Sequence, residues 1–488
     1  MMTARRSVAA AAGWSGMSNI VLRLGGVVVG VILARILTPE EFGIYAVALA
    51  AQAVLLTLVD LGLSAEIVRS EDPEPKIPTI ATLGLVLGAA ITTCAIVWAT
   101  QIAELLGSAD AAPAIAVLAV TVVLGGAGVV PYALLMRRFQ QRELFVISAV
   151  DFVVSTAVTL VLIGLGWGVV SLAVGRVSAQ AVSLVLQFVA AKVRPRFGLD
   201  LTLLRPIVAF GVPVALANLV AWLLLGADKV VLSTVVGVTA LGFYTLAFNV
   251  SNWPMSALSQ MVRSISLPLF SGASKEHADD MLARVTGIAW AGAFPAGVVL
   301  AVLSEQVIGV VYGEKWLPAA PALAALGAFG AIRVLFDVAT GFLYSRGRSG
   351  LVFWIQCAWA IALISALIPA THFFGIVGAG LSQIGVAVLV VLPAFAVVLR
   401  MARVRVGAVL REMAWPTAAA LATGGVAAGV GLLVDGPLIE LLSAGASAVL
   451  VYLALMWRWG KRRLRGLRTS QTQPASERDA VPELGRVG

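Results

Sequence analysis

Long apolar runs, separated by short polar segments, follow one another along almost the whole chain. Each run is continuously apolar and does not alternate with polar residues, a pattern that predicts α-helices rather than the strands of a barrel. A helix rises about 1.5 Å per residue, so each run is long enough to cross a hydrocarbon layer of about 30 Å. The pattern predicts fourteen membrane-spanning helices, at residues 13–37, 42–68, 78–103, 112–136, 144–164, 168–191, 206–235, 240–270, 281–303, 318–345, 351–371, 375–399, 413–434 and 437–458.

The composition agrees with a lipid environment. Of the 488 residues, 60% are hydrophobic and 12% are charged, whereas soluble domains have about 45–50% apolar and about 25% charged residues. An all-α, multi-pass membrane protein is therefore expected. Arginine outnumbers lysine among the 34 basic residues, and alanine is abundant. This bias is typical of GC-rich bacterial genomes, so the expected location is the bacterial inner (cytoplasmic) membrane.

Basic residues in the predicted loops define an orientation. Numbered from a cytoplasmic N-terminus, they gather on the cytoplasmic side, and only Arg35 and Lys315 lie on the opposite side. Because cytoplasmic loops carry such an excess of Lys and Arg, both termini are predicted to be cytoplasmic. The same bias accounts for the net charge of +9, so no nucleic-acid partner is expected. The basic run at 458–468 is expected to lie against anionic lipid headgroups.

One phrase occurs twice in the chain. LARILTPEEFGIYAVALA, at residues 33–50, returns as LSTVVGVTALGFYTLAFN at 232–249, with Gly43 on Gly242 and Tyr45 on Tyr244. With further pairs at similar spacing, this predicts two six-helix lobes in the same orientation, related by a pseudo-twofold axis along the membrane normal. The glycine is interpreted as a point of close helix approach and the tyrosine as an interfacial anchor. The predicted units are an N-terminal lobe (1–200, helices 1–6), a C-terminal lobe (201–400, helices 7–12), helices 13–14 with the basic end (401–468) and a disordered cytoplasmic tail (469–488).

Polar residues interrupt helices 1, 2, 7 and 8, mostly along one face of each. Such residues are costly at membrane depth and usually face a cavity or a partner, so these four helices are expected to line one cleft. Arginines on facing lobes, Arg23 and Arg263, suit a dianion such as pyrophosphate, because guanidinium groups bind phosphate through paired N–H donors. The candidate substrate-binding residues are Arg23, Arg263, Asn19, Asn218, Lys229, Asn249, Asn252 and Gln260.

Acidic residues at membrane depth receive separate roles. Asp60 is the candidate coupling residue for H⁺ or Na⁺, since a carboxylate near a guanidinium exchanges partners on protonation. Simple neutralisation of Asp60 by Arg23 or Arg263 stays open as an alternative. Arg333 and Asp337 are four residues apart on a helix, which predicts a structural ion pair. No Walker loop, HExxH, GxSxG or metal cluster occurs, so neither an enzyme nor a bound cofactor or metal is expected.

Three segments carry a family resemblance: LARILTPEEFGIYAVALA, LLMRRFQQRELF at 134–145 and FGIVGAGLSQ at 374–383. Over about residues 10–460 the chain resembles the polysaccharide transporter family of the multidrug/oligosaccharidyl-lipid/polysaccharide exporter superfamily. The resemblance implies two six-helix lobes plus two further helices. It also implies flipping of a polyprenyl-pyrophosphate-linked oligosaccharide from the inner to the outer leaflet. A cationic central cavity is implied as well, with Arg23 and Arg263 on the helices that would supply it.

The expected partners follow from that implied function: the lipid-linked glycan, membrane lipids and, as candidates, a polysaccharide polymerase and a chain-length regulator. Three alternatives remain open at the level of the sequence. They are a cation-coupled multidrug antiporter of the same fold, a non-transporting scaffold of a glycan-assembly complex and an integral-membrane glycosyltransferase.

Overall fold

A computed structural model describes residues 22–271, 278–402 and 404–471 of the chain. Side chains lie outside the description at residues 217, 220–225, 261, 263–269, 271, 278–279 and 462–471. Within the described ranges the regular elements are helices and no strand occurs. The prediction of an all-α architecture is confirmed.

The first half of the chain forms eight helices joined by short turns. The first of them, α1, covers residues 22–36 of the described part. The others are α2 (Pro39–Asp60), α3 (Leu63–Arg69), α4 (Ile77–Val97), α5 (Ala99–Leu105), α6 (Ala112–Arg137), α7 (Gln141–Gly164) and α8 (Val170–Ala191). Within this half α4 packs against α6, α6 against α8 and α8 against α7.

The second half begins with two helices of 35 and 34 residues. The helices of this half are α9 (Leu201–Val235), α10 (Val238–Ser271), α11 (Ala278–Val302), α12 (Ser304–Val311), α13 (Ala320–Ser345), α14 (Ser349–Val386), α15 (Leu392–Met401), α16 (Val406–Gly431) and α17 (Pro437–Gln471). Its last two helices pack against each other, and the first of them also packs against α11. α14 bends at Gly375, whose φ of 56° and ψ of −136° interrupt the helix between the two spans predicted there.

Ten helical segments in the described part are long and apolar enough to cross a membrane, so the chain is a multi-pass membrane protein. One of them, Ser349–Met401, is 53 residues long. Because it contains the bend at Gly375, it has the length of two crossings. The total of fourteen spans, and the division into lobes at residue 200, stay predictions.

The start of α2 shows how the repeated phrase folds locally. The Thr38 hydroxyl accepts the Glu41 backbone N–H (3.2 Å), and the Glu41 carboxylate accepts the Thr38 backbone N–H (2.8 Å). This reciprocal arrangement satisfies two N–H groups that a helix start leaves unpaired, and Pro39 at the first helical position fixes the backbone there. The entry of α2 is therefore rigid, which sets the position of Gly43 one turn further on.

The largest buried cluster joins the two halves of the chain. It includes Ala48 from α2, Tyr244 from α10 and Trp316 from the 3₁₀ turn Glu314–Ala319 before α13, all with no exposed surface. α2 and α10 cross where the two copies of the phrase meet. The two halves are thus in direct contact at this end of the bundle, while a second cluster around α13 and α14 is confined to the second half.

The last two helices attach to the second half through α11. The Trp290 indole N–H donates to the Thr417 hydroxyl of α16 (2.8 Å), and the Tyr452 hydroxyl of α17 donates to the Ala291 carbonyl. A further hydrogen bond, from the Gln306 side-chain amide of α12 to the Glu440 carboxylate (2.5 Å), also holds α17 to the second half.

Candidate functional site

A cavity of about 140 Å³ lies between α1, α10 and α13. Its wall on α10 covers residues 248–260, near the middle of a helix that runs from Val238 to Ser271, so the cavity is at membrane depth. Since a water molecule needs only about 10–15 Å³ of such volume, the cavity has room for several. It is lined by Arg23, Phe248, Ser251, Asn252, Met255, Ser256, Ser259, Gln260, Leu326, Phe329, Gly330 and Arg333.

Arg23 spans the cavity from one half of the chain to the other. Its guanidinium Nη1 donates a hydrogen bond to the Ser256 hydroxyl of α10, and the Ser256 hydroxyl lies 3.1 Å from the Trp253 carbonyl, to which it donates. A guanidinium has five N–H donors, so this bond leaves Arg23 with donors for a ligand.

The polar face predicted on helix 8 forms one wall of the cavity. Asn252, Ser256, Ser259 and Gln260 follow each other at spacings of four, three and one residues and all line it. Of the residues that the sequence predicts to share a substrate site, Arg23, Asn252 and Gln260 line this cavity together. Asn249 and Asn218 are exposed and are not among the lining residues. Asn19 and the side chain of Arg263 lie outside the described part of the chain, so their predicted roles stay predictions.

Arg333 is the lining residue that sequence reasoning placed elsewhere. Leu326, Gly330 and Arg333 are spaced by four and three residues, so one face of α13 completes the cavity. The sequence predicted an ion pair between Arg333 and Asp337, and this stays a prediction. It also predicted that helices 2 and 7 line the cleft, whereas α13 lines the cavity in the structure. The sequence feature that could have indicated Arg333 is the cost of placing a cation within an apolar span.

Lys229 and Asp228 lie beside the cavity in α9. The Lys229 ammonium stands over the ring of Phe248, 5.5 Å from its centroid, and Phe248 itself lines the cavity. Asp228 is 3% exposed and accepts a hydrogen bond of 2.9 Å from the Tyr244 hydroxyl. Tyr244 has no exposed surface. The interpretation of Tyr244 as an interfacial anchor was therefore wrong, because its hydroxyl donates a hydrogen bond to the buried Asp228 side chain.

Asp60, the predicted coupling residue, lies at the end of α2. It is half-buried, and its carboxylate accepts the Ser64 backbone N–H at 3.4 Å. It is not among the residues that line the cavity. Its coupling role stays a prediction.

The charges of the lining residues all have one sign. Arg23 and Arg333 contribute two permanent positive charges, and among the described lining residues there is no aspartate or glutamate. Serine, asparagine and glutamine side chains add groups that donate and accept hydrogen bonds, and apolar side chains of α10 and α13 line the rest. A cavity of this composition suits an anion that also carries hydroxyl groups.

Comparison with known proteins identifies the chain's relatives. A family described as "Polysaccharide biosynthesis protein" matches residues 32–321, more than half of the chain. The chain belongs to this polysaccharide biosynthesis family. The match includes α10 and the first residues of α13, and the resemblance noted in the sequence is confirmed.

Individual relatives of this chain of the polysaccharide biosynthesis family match it over different lengths. The lipopolysaccharide biosynthesis protein WzxC of Escherichia coli is 24% identical over 401 residues, 80% of each chain. The teichuronic acid biosynthesis protein TuaB of Bacillus subtilis is 29% identical, but over 33% of this chain and 34% of its own length. The succinoglycan biosynthesis transport protein ExoT of Rhizobium meliloti is 24% identical over 69% of each chain.

Solved structures show the same fold. The lipid II flippase MurJ, in an inward closed conformation, gives a TM-score of 0.77 at 13% identity, covering 92% of this chain and 99% of that chain. An inward-facing multidrug resistance transporter of the MATE family gives 0.61 at 15% identity, covering 80% and 96%. This chain of the polysaccharide biosynthesis family therefore has the fold of the exporter superfamily to which that transporter belongs.

Proposed function

We propose that the protein is a flippase. It moves a polyprenyl-pyrophosphate-linked oligosaccharide from the inner to the outer leaflet of the bacterial cytoplasmic membrane, by alternating access of two lobes. The observation that carries the proposal is the cavity at membrane depth, which bears Arg23 from one half of the chain and Arg333 from the other. Membership of the polysaccharide biosynthesis family supports a glycan precursor as the cargo, and the protein acts as a transporter and not as an enzyme.

The physical task is to carry a charged headgroup through hydrocarbon. An oligosaccharide pyrophosphate loses its water in the bilayer core, and each unsatisfied polar group is costly there. Arg23 and Arg333 bind the two phosphates by paired N–H donation, while Asn252 and Gln260 offer hydrogen bonds to the sugar. Arg263 and Asn19 remain candidates for the same site, with Asn218, Asn249 and Lys229 around it. The polyprenyl tail stays in the lipid.

The cavity in its present state is too small for the whole headgroup. Ligand pockets for drug-sized molecules have about 300–1,000 Å³, and this cavity has about 140 Å³. A diphosphate with its water suits it, whereas an oligosaccharide requires the two halves to separate. Movement of the halves is therefore part of the proposed cycle, with coupling to H⁺ or Na⁺ through Asp60 as its candidate energy source. The proposed orientation has both termini in the cytoplasm, and a polymerase and a chain-length regulator are candidate partners on the outer side.

The test is export of the glycan in a strain that lacks the native protein. Arg23→Gln and Arg333→Gln are expected to abolish surface polysaccharide and to leave lipid-linked glycan inside the cell, at unchanged protein levels. Arg176→Gln is the matched control. Arg176 also belongs to a membrane-spanning helix, but it lies 3.9 Å from the Asp151 carboxylate and does not line the cavity.

Other outcomes point to the competing functions. Wild-type export by both cavity variants contradicts the proposed site. Loss of drug resistance in the deletion strain, with normal glycan export, identifies a multidrug antiporter instead. Turnover of a donor sugar by the purified protein identifies a glycosyltransferase.

A further inference from the structure

Two helix ends meet at the end of the bundle that carries Arg35 and Lys315. One is the C-terminus of α1, at residue 36, and the other is the C-terminus of α12, at Val311. The last carbonyl groups of a helix have no partner within the helix, and they attract cations. Each of these two ends belongs to a different half of the chain.

Each half supplies the cation for the helix end of the other. Arg35 donates from Nε to the Val311 carbonyl (3.0 Å) and from Nη2 to the Val310 carbonyl (2.8 Å). In return, the Lys315 ammonium donates to the carbonyls of Arg35 (2.9 Å) and Leu37 (2.8 Å). The exchange is reciprocal, and all four hydrogen bonds cross between the halves.

Trp316 closes the space beneath this exchange. Its indole N–H donates to the Ala34 carbonyl (2.7 Å), so it caps the same end of α1. Its ring packs edge-on against Phe42 of α2 (centroids 5.4 Å apart) and Phe243 of α10 (5.9 Å). Trp316 has no exposed surface. The aromatic cluster therefore seals this end of the contact between the halves.

The opposite end of the bundle is joined in a different way. There the turn between α2 and α3 approaches α9 at Gly62 and Gly211, where a Cβ on Gly62 would lie 3.0 Å from the Gly211 Cα. Arg69 stands over the Phe210 ring at 4.3 Å. Beside this packing, the Asp200 backbone N–H donates to the Thr79 hydroxyl (3.2 Å), a bond between neutral groups. The reciprocal caps, in contrast, tie two cations to backbone carbonyl groups.

We propose that Arg35, Lys315 and Trp316 form the outer gate of the transporter. In the observed state the three residues hold the outer end closed, and the outward-open state requires all five of their hydrogen bonds to break. Arg35 and Lys315 are thus positioning residues that set the balance between the two states and do not bind cargo in the cavity. The proposal rests on the alternating access and orientation of the proposed function.

The test measures from which side the cavity can be reached. A single cysteine replaces Ser259, a lining residue, in a full-length chain in which Cys94 and Cys357 are changed to serine. A membrane-impermeant maleimide is applied to the outer face of the inner membrane and, in inverted vesicles, to the cytoplasmic face. With Arg35→Ala and Lys315→Ala together, labelling from outside is expected to rise about tenfold, because hydrogen bonds to charged groups contribute at least that factor. Labelling from inside is expected to fall.

Two further variants sharpen the result. Glu314→Ala changes an exposed neighbour of Lys315 that takes no part in the exchange, and it is expected to leave both labelling rates unchanged. Trp316→Phe keeps an aromatic ring, though a smaller one, and removes the indole donor to the Ala34 carbonyl, so a smaller rise from outside is expected.

An unchanged outside rate in the double variant overturns the gate. If labelling of the double variant rises on both sides together, its fold is lost and Trp316→Phe decides instead: an unchanged outside rate in that variant overturns the gate. Labelling requires no glycan, so the two proposals are tested separately. The labelling result can contradict the gate while export still depends on Arg23, and the export result can contradict the flippase function while the labelling result supports the gate.

Discussion

Gly43 and Gly242, the matching glycines of the repeated phrase, lie against each other's helices. A Cβ on Gly242 would lie 1.9 Å from the Pro39 carbonyl oxygen and 3.2 Å from the Gly43 nitrogen, and a Cβ on Gly43 would lie 2.0 Å from the Val238 carbonyl oxygen. The backbones of α2 and α10 are therefore in contact. The chain repeats the phrase because each copy provides one side of this contact between its halves.

Gly242→Ala tests the contact. The added methyl meets a backbone oxygen that cannot rotate away, so α2 and α10 must move apart, at a cost of about 1–3 kcal/mol. A lower apparent Tm in detergent is expected. Gly425→Ala, at a helical glycine with open space around it, is the control, and it should leave the Tm unchanged or raise it slightly. Equal Tm values for the two variants would show that the helices tolerate separation at this point.

The sequence could predict those lining residues of the cavity that lie on one face of a single helix. Spacing alone put Asn252, Ser256 and Gln260 on a single face of α10, and the expected cost of a charge pointed to Arg23. Arg333 could not be assigned in the same way, because its approach to Arg23 depends on how α13 packs against α10. Its neighbour Asp337 instead offered a local explanation.

The gate residues were hidden from sequence reasoning for a related reason. Arg35 and Lys315 were visible as the two basic residues on the side otherwise free of them, and they were assigned to loops. Their partners are backbone carbonyl groups, which every residue has, so no sequence motif marks them. Only the folded arrangement of two helix ends shows that each residue caps the other half.

Tyr244→Phe is expected to destabilise the protein by about 1–3 kcal/mol, because it removes the hydroxyl that donates to the buried Asp228 carboxylate. Tyr312→Phe provides a matched control. Tyr312 is also buried, at 2% exposure, and among the described residues its hydroxyl has no hydrogen-bond partner. Its loss is therefore expected to be neutral or slightly stabilising. Thermal unfolding of both variants in detergent decides the matter, and equal losses would contradict the role given to the Asp228 bond.

Glu66 is expected to make the stability of the folded protein depend on pH in the acidic range. It lies in α3, beyond the end of the span Pro39–Asp60, and its carboxylate is 2.7 Å from both Lys76 and Arg69. Burial acts to raise the pKa of Glu66, but hydrogen bonds and charges from Lys76 and Arg69 outweigh it and hold the pKa below the usual 4.5.

Because the folded-state pKa of Glu66 is lowered, its contribution to stability is complete above the ordinary value and is lost as the pH falls through the folded value. Glu66→Gln is therefore expected to lower the Tm at about pH 7 and to reduce the further decline as the pH falls below 4.5, the ordinary pKa of a glutamate. Asp200→Asn is a comparison at the exposed N-terminal cap of α9, where hydrogen bonds from the Thr202 hydroxyl and backbone N–H also lower the pKa of the carboxyl. A smaller change in the same direction is expected there, because this carboxylate is exposed. If Glu66→Gln loses as much stability on acidification as the parent protein, other carboxylates govern the decline.

The cavity arginines are expected to require guanidinium geometry as well as charge. Arg333→Lys keeps one positive charge in the lining but loses the planar fork that binds two phosphate oxygens at once. Export of the glycan is expected to fall by about tenfold and not to vanish, since one charge-assisted hydrogen bond is lost while the charge remains. The measurement is the rate at which surface polysaccharide reappears after induction, set against Arg333→Gln, which removes the charge as well, at matched protein levels. Full activity of Arg333→Lys would mean that the cavity senses only charge, and equal loss in both variants would mean that geometry alone determines binding.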